Sequence, residues 1–167
     1  RRYDSRLSRY REVLPGVPYL PPPPQERTLP PISEEQLAAL LLEEELDLLV
    51  ERALSRRVAG VSPQLARNTI LAAGLDPLAT LDSLGELEFS RLSQQINELA
   101  RRYTAGDFQP TLLYRQGQPA DFAALPLSIW QGEDLQSVPS MGAALDLYYQ
   151  TRQATQQFTS HQHSLTK

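Results

Sequence analysis

Seven residues in one short stretch have the types and spacing to hold an anion: Arg56, Arg57, Gly60, Val61, Ser62, Gln64 and Arg67. Gly60 lies between the apolar Val58 and Val61, and glycine tolerates the positive φ of a tight turn. Ser62 is a good helix N-cap, and Pro63 suits the first helical position. A helix that starts there leaves amides near residues 60–64 without intrahelical acceptors, and its dipole favours negative charge. The three arginines add forked cationic donors, which fit phosphate better than an ammonium does. The chemistry is contact with a nucleic-acid phosphate backbone, which positions a strand without reading its sequence. The same residues also describe an ordinary helical turn with solvated arginines, and the stretch alone leaves both readings open.

The spacing resembles the helix-hairpin-helix motif, in which an apolar residue, any residue, Gly, an apolar residue, Gly and, after three residues, Ala follow one another. Val58, Gly60, Val61, Ser62 and Ala66 occupy those places, with Ser62 where the second Gly belongs. Nothing else in the chain suggests catalysis. Without cysteine there is neither a disulfide framework nor a Cys-based zinc site. His161 and His163, the only histidines, sit in a polar tail, so no Ser-His-acid set is available. Lys167 is the one lysine, which leaves no internal amine of the kind a DNA glycosylase needs. Glu43 to Glu45 are consecutive and fan around a helix instead of converging on a metal. The expectation is a non-enzyme with no cofactor and no metal.

The elements around the turn follow from periodicity. Ser33-Glu34-Glu35-Gln36 is a capping box. Leu37, Leu40 and Leu41, then Leu46, Leu49, Val50, Ala53 and Leu54, give a helical stripe, with a break near Glu43–Glu45 that splits it in two. Ala66, Ile70 and Ala73 mark the helix after the turn, and Gly74 its C′ position. A further helix starts near Glu86, buries Leu87, Leu92, Ile96, Leu99 and Tyr103, and ends at Gly106. Residues 111–115 and 120–127 read as two strands about the Gln116-Gly117-Gln118 turn, with Trp130, Leu135 and Val138 in an irregular edge. Ser140 caps a last helix with Met141, Ala144, Leu145, Tyr148 and Tyr149 apolar, and TRQATQQF continues it in polar form. The fold expected is α-rich α+β: a helix-hairpin-helix domain with a small antiparallel β-hairpin and a C-terminal helix leading to a coiled coil. Its core is expected at Leu46, Val50, Leu54, Ile70, Leu71, Leu92, Ile96 and Leu99.

Composition sets the outer bounds. With 167 residues, 41% of them apolar, the chain has room for one domain with appendages. Net charge is −4 but unevenly spread: residues 1–32 carry +3, residues 33–50 carry −6 and residues 51–74 carry +3. The turn therefore lies in a locally basic stretch. Four prolines at 21–24 predict an extended polyproline II spacer. No signal peptide and no membrane-spanning run are apparent.

Four landmarks in one order resemble the NFACT family, called RqcH in bacteria and NEMF in animals, whose bacterial members were long labelled fibronectin-binding proteins. They are RYREVLPGVPYLPPP, GVSPQLA in the helical pair, PTLLYRQGQPADFAALPLS, and SMGAALDLYYQ before a polar helix. The resemblance implies a cytoplasmic ribosome quality-control factor. Such a factor recognises large ribosomal subunits obstructed by peptidyl-tRNA, holds tRNA and promotes C-terminal alanine tailing. It implies rRNA and tRNA as partners, no membrane, and nucleic-acid contact at Gly60 to Ala66. It also implies three regions: the end of an N-terminal domain with a Pro-rich linker (1–32), a helix-hairpin-helix middle domain with its β-hairpin (33–139), and the start of a coiled coil (140–167). Residues 1–30 are then expected to pack poorly here, and the last helix to run past the core. Two other classes stand beside this one: an extracellular adhesin that binds fibronectin, and a DNA-binding helix-hairpin-helix domain.

Overall fold

Ser33 and Gln36 close the first helix reciprocally. The Gln36 amide donates to Ser33 Oγ at 3.2 Å and the Ser33 amide to Gln36 Oε1 at 3.1 Å, satisfying two donors that a helix start leaves orphaned. In this computed structural model the described residues are 26–150, with Gly16 and Pro18. The polyproline run, both histidines and the TRQATQQF continuation lie outside them. The described residues form five helices and one three-stranded antiparallel sheet.

Helix α1 (Glu34–Leu41) ends where the glutamates begin, and α2 (Val50–Arg57) resumes the stripe, so the expected break is present. Gly60, at φ 77°, turns the chain into α3 (Pro63–Ala72). There Ser62 Oγ accepts the Leu65 amide at 3.2 Å, and Gly74 follows at φ 73°. Helix α4 (Glu86–Ala105) begins at the expected residue and stops at Gly106 in the left-handed conformation. Ile32, Leu37, Leu41, Val50, Leu54, Val58, Ala66, Ile70, Leu81, Leu92 and Ile96 form the helical core. Each large side chain fully buried there stabilises the fold by roughly 1.5–3 kcal/mol.

Several expected core residues are not in it. Leu46 is 53% exposed and Leu71 39%, and Leu99 is only half-buried. Leu46 falls in the connection after α1, where helical spacing no longer applies. That connection is held by backbone bonds to residues 79–82, such as Asp82 N to Leu46 O at 2.9 Å, and Leu48 and Leu81 pack on the core in its place. Leu71 follows the buried Ile70 by about 100° of helix rotation and so leaves the packed face. Leu87 and Tyr103 are exposed as well, near the two ends of α4. At 20 residues α4 is much longer than the eight-residue α1 beside it, so its ends overhang.

The last described stretch departs furthest from expectation. Strands β1 (Thr111–Arg115) and β2 (Gln118–Ala123) pair across Gln116 and Gly117, both at positive φ, the geometry of a two-residue hairpin turn. A register shift sits between Leu113 and Tyr114. The irregular edge expected after Pro126 instead contains a paired strand, β3 (Asp134–Ser137), on the free side of β1, giving the order β2-β1-β3. Neighbouring β1 side chains point to opposite faces. Leu112 meets Val138, Ala144 and Tyr148, the last two from helix α5 (residues 141–150). Leu113 meets Leu127 and Trp130, against which Leu65 of α3 also packs. The sheet is thereby tied to α3 on one face and to α5 on the other. On α5 the buried pair is Ala144 and Tyr148, four residues apart, whereas Leu145 and Tyr149 are exposed.

Candidate nucleic-acid interface

The turn between α2 and α3 is built from its apolar anchors outward. Val58 and Val61 are buried in the helical core, and they fix the backbone on both sides of Gly60. A second chain segment braces the turn. Thr28 donates its amide to Arg57 O and accepts the Ala59 amide, both at 2.8 Å. Ile32 then locks that segment to α4: its amide donates to Asn97 Oδ1 at 2.8 Å, and its carbonyl accepts Asn97 Nδ2 at 2.9 Å and Ser93 Oγ at 3.1 Å. Of residues 1–30, expected to pack poorly, the stretch 26–30 is held at Thr28 by its backbone bonds to Arg57 and Ala59, while the Leu29 side chain is exposed.

The turn's amides divide into used and free. Ala59 and Leu65 donate as described, and the Val61 amide reaches Val58 O at 3.5 Å. Those of Gly60, Ser62 and Gln64 make no hydrogen bond among the described residues. Val61 contributes to this site through its backbone, since its side chain is buried. The Gln64 side chain donates across to Asp121 Oδ2 of β2 at 2.8 Å.

All three arginines are ion-paired. Arg56 Nη1 lies 3.2 Å from Glu44, Arg57 pairs with Glu43 and lies 3.8 Å from Glu44, and Arg67 Nε donates to Glu51 at 2.8 Å. The hydrogen bond and charge of Glu51 hold the Arg67 guanidinium above its usual pKa. The local +3 seen along the sequence is therefore largely neutralised in space, because the acidic connection after α1 folds onto the basic end of α2. The roles of the arginines also separate. The Arg57 side chain is only 23% exposed, whereas those of Arg56 and Arg67 are 59% and 58% exposed. The two exposed guanidiniums keep N–H groups directed to solvent.

Ser62, Gln64 and Arg67 line an open cleft of about 730 Å³ between α3 and the sheet. Arg115, Asp121, Ile129 and Trp130 also line it. Arg115 and Trp130 are absent from the residues nominated by sequence, because no local signal brings the end of β1 beside α3. Asn68, buried on α3, accepts the Ser128 amide at 2.6 Å and secures that approach. Among the described residues, no three His, Cys, Asp or Glu side chains cluster as metal ligands, and no helix is long and apolar enough to cross a membrane.

The whole chain can be placed among known proteins at one level. No curated protein matches it. A family match does, and it covers the Pro-rich start, the helical body, the sheet and the last helix alike: over residues 1–167 the chain fits the family described as NFACT N-terminal and middle domains, and it belongs to that family.

Proposed function

We propose that this chain is an RNA-binding module of a cytoplasmic ribosome quality-control factor of the RqcH type. In this reading it contacts rRNA and tRNA on large subunits obstructed by peptidyl-tRNA and supports C-terminal alanine tailing. The α2–α3 turn acts as a helix-hairpin-helix contact, and residues 140–167 begin a coiled coil. The observation that carries the reading is a turn with three amides unpaired among the described residues, at Gly60, Ser62 and Gln64, beside the exposed Arg56 and Arg67 in a chain of this family. Phosphate oxygens accept from such amides and from the solvent-facing guanidinium N–H groups together. Peptide-bond formation belongs to the ribosome, so the chain needs no nucleophile and no cofactor.

The contact is weak and salt-dependent, because the arginines also serve Glu44 and Glu51. Charge reversal at Arg56 and Arg67 would set glutamates against those acids, so the neutral pair Arg56→Gln with Arg67→Gln is the cleaner probe. Co-sedimentation with 50S subunits carrying peptidyl-tRNA should weaken, and the salt slope should fall by roughly 0.7–0.9 for each phosphate no longer engaged. A double variant that melts like the parent and co-sediments equally well across a salt series would remove the turn from the ribosome contact.

A further inference from the structure

We infer that the cleft between α3 and the sheet is a track for single-stranded RNA, with Arg67 and Arg115 as its two cationic walls. The inference rests on the RNA-binding reading above, and extends it from the turn to a second element and to one class of nucleic acid. The two arginines come from parts of the chain 48 residues apart, one on a helix and one at the end of β1. Both side chains face solvent, at 58% and 61% exposure. Each is steadied by a single carboxylate outside the cleft lining: Arg67 Nε on Glu51 at 2.8 Å, and Arg115 Nη2 on Glu133 at 3.3 Å. A guanidinium has five N–H donors, so each bond orients the fork and leaves most of it for phosphate.

The rest of the lining fits a strand that passes between these walls. Asp121 is the one acid in the lining, and its carboxylate is already engaged. Oδ2 accepts Gln64 Nε2 and Oδ1 accepts the Phe122 amide, both at 2.8 Å. The lining itself carries two positive charges against one negative charge held by hydrogen bonds, and because Glu51 and Glu133 pair with the two arginines from outside it, phosphate shares the guanidiniums with them and the contact is weak. Trp130, almost fully buried, gives the cleft an apolar floor without presenting a ring face for stacking. Recognition then falls on phosphate and not on base identity. The cleft, about 730 Å³ in volume, is open rather than enclosing. A flexible single strand can adjust its phosphate spacing to two arginines fixed on separate elements, as in grooves that track a single-stranded backbone.

The test is fluorescence anisotropy of the full chain with two probes, a short oligouridine and a blunt RNA duplex, across a salt series. Arg115→Gln should weaken oligouridine binding and leave duplex binding at the parent value. With one single-strand phosphate no longer engaged, the drop in affinity between about 50 and 200 mM salt should be smaller than the parent's by roughly 2.5-fold. Asp121→Asn keeps one oxygen for the Phe122 amide and turns a donor toward Gln64, whose side-chain amide can flip to accept it, while removing the charge, and should tighten oligouridine binding. A gain on oligouridine with the parent's melting temperature and unchanged duplex binding separates loss of this charge from a general exposure of basic side chains. The inference is overturned if Arg115→Gln matches the parent on oligouridine, if it weakens both probes by the same factor, or if Asp121→Asn fails to tighten. Arg56→Gln, outside the cleft, separates the two proposals. Loss of binding with Arg56→Gln but not with Arg115→Gln keeps the turn and rejects the cleft; the reverse pattern keeps the cleft and rejects the turn. No binding of either probe at low salt rejects both.

Discussion

Asn97 is the residue through which a change far from the turn should loosen the turn itself. Its side-chain amide grips both backbone groups of Ile32, accepting the amide at 2.8 Å and donating to the carbonyl at 2.9 Å. Four residues earlier, Thr28 makes the two backbone bonds that brace Arg57 and Ala59. Asn97→Ala removes both bonds to Ile32. Ser93 Oγ still reaches the carbonyl at 3.1 Å, but the amide is left without a partner on a residue that is 1% exposed. Two net hydrogen bonds at about 1 kcal/mol each, with the added cost of a stranded buried donor, give a destabilisation of about 2–4 kcal/mol. Ser93→Ala, which removes only one of two donors to the same carbonyl, should cost about 1 kcal/mol. Denaturant unfolding measures both values. Amide exchange reports the coupling: in Asn97→Ala the Ile32 amide should lose protection, and so should Ala59, which donates to Thr28. A cost below about 0.5 kcal/mol, or an Ala59 amide as protected as in the parent, would refute the bracing role, whose expected size comes from these bonds.

Two further outcomes concern the turn and the first helix. An added Cβ at Gly60 meets nothing within 4 Å, so Gly60→Ala should cost only the conformational penalty of a positive φ, about 1–2 kcal/mol, and Ser62→Ala about 1 kcal/mol for the missing N-cap; denaturation midpoints of the two variants check both. The Glu35 carboxyl is held below its usual range by its own backbone amide and by the Ser33 hydroxyl. A depressed carboxylate pKa stabilises the fold above the unfolded-state value and loses that contribution as pH falls through the folded value. The stability gap between the parent and Glu35→Gln should therefore be constant near neutrality and close in the acid range below ordinary carboxylate titration; a pH series of melts that shows no closure contradicts the assignment.

What the sequence determined by itself about this protein is mostly local chemistry. The capping box at Ser33, the break after Leu41, the Gly60 turn, the Ser62-Pro63 helix start and the Gly74 and Gly106 stops all stand where residue types place them. Each depends on φ preferences or on bonds spanning three or four residues, so no distant partner is required. Helical spacing also found Val50, Leu54, Ile70, Leu92 and Ile96 in the core. Only the tertiary structure decided the rest. Leu46, Leu71, Leu87 and Tyr103 are exposed beside buried neighbours, because of where the connection after α1 runs, which face of α3 is packed and how far α4 overhangs. Asp134–Ser137 has no apolar alternation to announce a strand; it is one because β1 offers a free edge, with Leu135 opposite Leu113. The basic character of the turn was a property of a sequence window, and it was largely cancelled once Glu43, Glu44 and Glu51 came within reach of the arginines. Arg115 joined the candidate site for the same reason: packing Leu65 of α3 with Leu113 and Trp130 sets the sheet beside the turn, and contacts between residues so far apart in the chain have no short-range signature.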